Sequence, residues 1–265
     1  MTAPRSDRRA ARRGAVGFSG VWPPVVLGLL VLVGWQVGVT AAGVPAFLLP
    51  APTAIGAQIG AQLPVILETT SLTGGNALVG LVAGFLVGVL LALLASASRL
   101  IAELTTPVVL AASAVPIVAL APVFTTMFGS TTEIPRRLVV TVVVVVPVFV
   151  STARGLRAVA PVHAELMTAL AATPAQFARF VRVPGAVPYI ATGLRLAAPA
   201  AVIAAIVAEY FGGLQNGLGS RISSAAANTA YARAWAFVAA SIVLGLVFHL
   251  AGLLAERLGT RGRPI

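Results

Sequence analysis

Apolar residues in this chain run in blocks rather than in stripes. Six stretches are almost free of charge: about 24–42, 75–97, 106–128, 137–153, 188–211 and 234–256. A helix needs about 20 apolar residues to cross a hydrocarbon core of roughly 30 Å, so each block predicts one membrane span. The fourth, Val-Val-Thr-Val-Val-Val-Val-Val-Pro-Val-Phe-Val, would read as a buried strand in water because β-branched residues favour sheets. In lipid an open strand leaves its backbone groups unsatisfied, so the same run predicts a helix. Pro116, Pro122, Pro147 and Pro199 fall in or near these spans, where neighbouring helices tolerate a kink.

Shorter elements punctuate the blocks. Pro52 and Thr53 open a short helix with Ile55, Ile59 and Leu63 on one stripe and Gln58 and Gln62 elsewhere, a pattern suited to the outer membrane interface. Residues 212–219, Gly-Gly-Leu-Gln-Asn-Gly-Leu-Gly, are too rich in glycine for a helix and predict an outer loop or gate. The polar insert from Glu165 to Arg195 stands out most. Within it, residues 161–172 favour helix, with Leu166, Met167 and Leu170 on one face and Glu165 near the start, where the helix dipole favours an acid. Thr173, Pro174 and Gln176 then fit the N-cap, N1 and N3 places of a capping box, predicting a second short helix that runs to about Arg182 and ends at Pro184. Phe177 and Phe180 are available on it as knobs for a cytosolic partner.

Composition agrees with an all-α membrane protein of about six spans. Hydrophobic residues make up 58% of the 265 and charged residues 9%, against about 25% charged in soluble domains. The chain has no Cys and two isolated His, which excludes disulfides and leaves no metal or catalytic constellation to assign. All 18 basic residues are Arg. Arg5, Arg8, Arg9, Arg12, Arg13, Arg99, Arg154, Arg157, Arg179, Arg182, Arg257, Arg261 and Arg263 fall on one side of the predicted spans, and only Arg136, Arg137, Arg221 and Arg233 on the other. The positive-inside rule therefore puts both termini and the polar insert in the cytoplasm. The net charge of +11 is a topology signal, not a mark of nucleic-acid binding. The first block also carries an Arg-rich start and a small-residue site at Val39-Thr40-Ala41, but its apolar run is long for a cleaved signal peptide. The chain thus divides into an Arg-rich cytoplasmic tail, 1–20, a membrane domain, 21–258, with its loop at 154–187, and a short cytoplasmic tail, 259–265.

The polar insert resembles the coupling loop of permease subunits of type I ABC importers, whose pattern is Glu-Ala-Ala, three residues, Gly, nine residues, then Ile-x-Leu-Pro. Here Glu165, Leu166, Met167, Ala171, Val181, Val183 and Pro184 take those places without a gap. Further matching segments, in order, are Leu49 to Thr53, Val115 to Pro122, Phe128-Gly129, Pro188 to Ala197, Ala208-Glu209 and Gly217 to Gly219. Together they are similar to the nitrate, sulfonate and taurine branch over roughly residues 25–257. Two places depart from the pattern. Ala171 stands where glycine would accept positive φ at no cost, so the turn is expected to move to Thr173-Pro174. Met127 stands where the family often has an aromatic.

The resemblance implies a permease that does no chemistry. Two permease subunits, a homodimer on the economical reading, would enclose a path in the bacterial inner membrane. A cytosolic ABC ATPase dimer carrying ATP and Mg would grip both coupling loops, and an extracytoplasmic binding protein would deliver the solute. The chain itself would bind no cofactor, metal or nucleic acid. The residues assigned to ATPase coupling are Glu165, Leu166, Met167, Ala171, Thr173, Phe177, Arg179, Arg182 and Pro184. Ser113, Thr125, Thr126 and Glu209 are assigned to the path, since polar groups in lipid are costly unless they line a cavity or find partners. Glu209 could alternatively cap its span or bind Arg221. Arg195 is expected to snorkel, and His249, Gln36 and Asn76 to make helix contacts. A secondary transporter or channel would also have six spans, but no reason for a capped hairpin of this spacing. The solute implied is a small anion or organic nutrient, nitrate-, sulfonate-, taurine- or pyrimidine-like.

Overall fold

A computed structural model describes residues 22–260, and among these every regular element is helical. The tails at 1–21 and 261–265, with their arginines, lie outside the described residues. In chain order the helices are α1 (Trp22–Ala41), α2 (Pro52–Ala61), α3 (Leu63–Ala97), α4 (Arg99–Ser113), α5 (Ile117–Phe128), α6 (Ile134–Arg157), α7 (Pro161–Ala169), α8 (Pro174–Phe177), α9 (Val183–Phe211), α10 (Leu218–Ala227) and α11 (Tyr231–Thr260). A π-helical turn, Ala178–Arg182, joins α8 to α9.

Five single helices are long and apolar enough to cross a membrane: α1, α3, α6, the joined Pro174–Phe211 rod, and α11. The expected third span is not one helix. It is the pair α4 and α5, bent by 102° at residues 114–116. Pro116 explains the elbow, because its ring disfavours helical geometry at Val115 and it brings no N–H to continue the ladder. The other helices outrun their apolar blocks. α3, for example, begins at Leu63 rather than near residue 75, because Glu68, Thr69, Thr70 and Asn76 end an apolar run without ending a helix.

The core is built on small residues. Gly80, Gly84 and Gly88 of α3 lie against Val140, Val144 and Val148 of α6, in an order that makes the two helices parallel. A Cβ on Gly84 would come within 2.7 Å of Val144, so only glycine permits this approach. The valine run is therefore a helix whose Val139, Val140, Val144 and Val148 are fully buried. α9 contributes Ala197, Ala201, Ala204, Ala205 and Ala208. It runs antiparallel to α6 and α11, since Gly155 meets Tyr189 and Gly252 meets Arg195. Close backbones give van der Waals contact where lipid removes the hydrophobic incentive to associate.

This topology defines two ends of the bundle. The α7–α8 hairpin shares one end with the C-termini of α3, α6 and α11. At the other lie α10, the C-terminus of α9 and the N-termini of α3, α6 and α11. α2 forms as expected, but with Ala51 as N-cap, and Ile55 buried while Leu63 stays exposed. Gln36 accepts the Thr53 amide at 3.1 Å, which ties α1 to the start of α2.

Candidate functional site

The hairpin is fixed by its backbone. At the end of α7, the Ala172 amide donates to Met167 O at 3.0 Å and the Ala171 amide to Thr168 O at 3.0 Å, the two bonds of a Schellman motif. That motif demands a left-handed residue, and Ala171 supplies it at φ 49°. The expected shift of the turn away from Ala171 therefore does not occur. Satisfying two orphan carbonyls outweighs a left-handed alanine, which costs roughly 1–2 kcal/mol.

Thr173 opens α8 with the expected capping box. The Gln176 amide donates to Thr173 Oγ1 at 3.3 Å, and the Thr173 amide donates to Gln176 Oε1 at 2.8 Å. The second helix does not stop at Pro184, however. The Val183 amide reaches back five residues to Ala178 O, and the widened π turn absorbs the proline's missing donor and bulky ring, so the chain continues into α9. Pro174 to Phe211 is thus one 38-residue rod.

Side chains on the hairpin face outward. No residue of α7, α8 or the π turn is buried. Glu165, Thr173 and Arg179 are exposed, as are Leu166, Leu170 and Phe180, while Met167 and Pro184 are half-covered. Phe177 is not a free knob. It lies half-buried beneath the Arg182 guanidinium, 4.9 Å from the ring centre, while Arg179 sits 5.7 Å from the ring of the exposed Phe180. Arg195, expected to snorkel, instead pairs with Glu256 of α11 at 3.0 Å, and Thr192 donates to the same carboxylate at 2.6 Å.

The opposite end holds a polar cluster. Glu209 is fully buried. Thr73 Oγ1 donates to its Oε2 at 2.9 Å and the Gly219 amide donates at 3.1 Å, while Oε1 has no partner among the described residues. Its hydrogen bonds go to α3 and α10 rather than to Arg221. Gly217 and Gly219 lie so close that a Cβ on either would overlap Glu209, so these glycines are required for α10, which begins at Leu218, to pack on the carboxylate. Helix therefore enters the stretch that sequence assigned wholly to loop, and residues 212–217 alone are irregular.

Beside it, Glu133 gathers three partners. It accepts from Asn76 at 2.8 Å, Arg136 at 2.9 Å and Asn216 at 2.8 Å. Arg136, almost wholly buried, also donates to Asn216 Oδ1 at 2.6 Å and to the Leu214 carbonyl. Arg137 donates to Asn76 Oδ1 at 3.0 Å. Burial, the largest single influence, pushes the Glu133 carboxyl up. The Asn216 hydrogen bond, the Arg136 charge and the Asn76 hydrogen bond together outweigh it and hold the group below the ordinary carboxylate range.

Sequence reasoning counted Arg136 and Arg137 only as topology charges and gave Asn76 no partner. Period-based reading cannot see this cluster, because its members come from α3, the N-cap and first turn of α6, and the 212–217 loop. Of the four proposed path residues, Thr125 is half-buried near Gly212 at the end of α9, Ser113 and Thr126 are exposed, and Glu209 is enclosed. Ser113, Thr125 and Thr126 each donate back to their own helix, to Leu110, Ala121 and Val123 carbonyls. A cavity of about 470 Å³ between α4 and α6 is lined by Thr106, Leu110, Phe149, Arg154 and Arg157, so two more arginines read as topology charges face a space. A larger cavity, about 550 Å³ between α3, α9 and α11, is lined by apolar side chains and glycine and has no polar group to orient a solute.

The arrangement is that of a helical membrane protein, and solved structures share its fold. An amino acid ABC transporter solved with histidines matches with TM-score 0.63 at 18% identity, over 76% of this chain and 96% of that one. The inward-facing MetNI methionine ABC transporter matches with TM-score 0.64 at 18% identity, over 76% and 98%.

Sequence carries the assignment further. Residues 84–261 match the family described as binding-protein-dependent transport system inner membrane component, and the chain belongs to it. A probable ABC transporter permease protein of Haemophilus influenzae is 31% identical, over 68% of this chain and 73% of its own length. The formylaminopyrimidine transport permease protein ThiX of Halalkalibacterium halodurans is 33% identical, over 68% and 72%. The riboflavin transport system permease protein RibX of Chloroflexus aurantiacus is 30% identical, over 69% and 71%. This chain is accordingly a permease subunit of a type I ABC importer, an integral membrane protein that is itself non-catalytic, with ATP hydrolysed by a partner subunit.

Proposed function

We propose that this permease carries a small nitrogen heterocycle inward, and that the α7–α8 hairpin is where its ATPase takes hold. The observation that supports the coupling role is the hairpin itself. It is locked by a Schellman motif and a capping box, it buries none of its side chains, and it is continuous with α9. A surface kept rigid yet left uncovered suits a partner. Glu165, Leu166, Met167, Ala171 and Thr173 would form the contact, with Arg179, Arg182, Phe177 and Pro184 shaping its flank. Both termini and this hairpin would then face the cytoplasm, and the Glu209 cluster would face outward.

The pyrimidine and riboflavin relatives favour a heterocycle over nitrate or a sulfonate. Two copies of the chain would enclose the path, served by an extracytoplasmic solute-binding protein. The test is uptake by proteoliposomes that hold the permease with its ATPase and are supplied with the binding protein. ATP-dependent uptake of a labelled pyrimidine, with little of taurine or nitrate, is the expected result. Uptake driven by an ion gradient without an ATPase would establish a secondary transporter instead.

A further inference from the structure

α11 is 30 residues long, about 45 Å at 1.5 Å per residue, and so outreaches a hydrocarbon core of roughly 30 Å. That excess lets its first turn reach the level of lipid headgroups. There a pocket of about 350 Å³ is lined by Phe47, Gln58 of α2, and Thr229, Tyr231 and Arg233 around the start of α11. Arg233 is exposed, and among the described residues no acidic side chain pairs with it.

The same two helices wall a second depression deeper along α11. It also measures about 350 Å³, is closed by Trp35 of α1, and is lined by Ile55, Ile59, Trp235, Ala239 and Ile242. Trp35 and Trp235 meet edge to face at 5.5 Å, and Ile242 is well exposed at its rim. The indole N–H of Trp35 is buried without an acceptor. Paired tryptophans and a tyrosine at this depth are the side chains that favour the interface between headgroup and acyl chain.

We propose that the α2–α11 junction is a binding site for one anionic phospholipid, its phosphate on Arg233 and an acyl chain along the Trp35 and Trp235 wall. Three features favour a lipid over a soluble anion. The cation has no internal partner. The adjoining groove is apolar and accessible from the side. Both parts share α2 and α11, so one amphipathic molecule can satisfy both at once. A groove that sits in the bilayer beside an unpaired cation suits an anionic headgroup better than a neutral one, because basic side chains near the membrane surface each attract anionic lipid.

Native mass spectrometry of the full-length chain, purified in mild detergent and loaded with dioleoyl phosphatidylglycerol, reads the site directly. Retention should exceed that of dioleoyl phosphatidylcholine. Arg233→Gln should lower phosphatidylglycerol retention about five-fold, and Ala239→Trp, which fills the groove, should lower retention of both lipids. Arg221→Gln should change neither. Arg233 is exposed, so its variant tests the idea even if the groove-filling variant does not fold. Equal retention by wild type and Arg233→Gln overturns the proposal. Displacement by soluble glycerol 3-phosphate would show a headgroup-only anion site and overturn it too. So would an Arg233→Gln variant that keeps its lipid but loses docking of a solute-binding protein.

Discussion

Thr73 and Glu209 are 136 residues apart in sequence, yet Thr73 Oγ1 donates to Glu209 Oε2 at 2.9 Å while accepting the Leu218 amide at 2.9 Å. One hydroxyl thus joins the N-terminal half of α3, the end of α9 and the first turn of α10. Thr73→Val strips the Leu218 amide of its acceptor, and Glu209→Gln puts an amide NH2 where Oε1 has no partner; a buried polar group left unsatisfied typically costs about 1–3 kcal/mol. Glu209→Gln should therefore lower the melting temperature of the purified permease, and Thr73→Val should do the same. A variant that melts normally but transports with a changed KM would place Glu209 on the solute path rather than in the closure.

Glu133 gives that end of the molecule a pH dependence. Its carboxyl is held below the ordinary range in the folded protein. The stability it contributes is therefore complete above the unfolded carboxylate value, about pH 4.3, and is lost as pH falls through the lower folded value. Melting temperature measured from pH 7 down to 3 should drop at the acidic end. The drop should be shallower in Glu133→Gln, which has no proton to gain there.

The left-handed Ala171 makes an opposite kind of prediction. Ala171→Gly should relieve about 1 kcal/mol of backbone strain and tighten the hairpin, measured as slower limited proteolysis between α7 and α8. Ala171→Val should accelerate that cleavage, since a β-branched residue tolerates positive φ least. Equal cleavage rates in the three proteins would mean the Schellman turn is not what orders the loop.

The orientation proposed here is open to a labelling test, because the chain has no cysteine to remove. Cysteines placed singly at Gln58 or Gln215 should react with an impermeant maleimide from outside intact cells. One at Gln176 should react only after permeabilisation. Reaction at 176 in intact cells reverses the orientation and, with it, the assignment of the hairpin to a cytosolic ATPase.

For Arg195 and Glu256 the expected effect is small. The arginine is 35% exposed, so solvent screens the pair, and contributions of up to about 1 kcal/mol are typical. Glu256→Gln should cost little by itself, and a double-mutant cycle with Arg195→Gln should return a coupling within that range. A coupling of several kcal/mol would mark the pair as buried when assembled.

Much of this molecule was legible because lipid leaves few options. A run such as residues 139–150 can only be a helix in hydrocarbon, and it is one. Capping chemistry was equally readable at Thr173, where side chain and backbone lie three residues apart. What escaped the sequence was long-range or cooperative. Glu133 is Arg136's neighbour three residues back, but nothing local announces that Asn216 and the Leu214 carbonyl, about 80 residues on, will close over the pair and bury it. At Ala171, intrinsic preference pointed the wrong way because two backbone hydrogen bonds decided the turn. Pro116 broke a span, whereas Pro184 was absorbed by a π turn.

The unbroken rod from Pro174 to Phe211 also constrains how this sequence can change in length. Each residue of an α-helix turns the chain by about 100°. One residue gained or lost between Arg182 and Glu209 would rotate the hairpin by that angle relative to the buried carboxylate. Either the partner's grip or the contact with Thr73 would fall out of phase. The connection between α1 and α2 has no such clockwork, so insertions should accumulate there and be purged from α9.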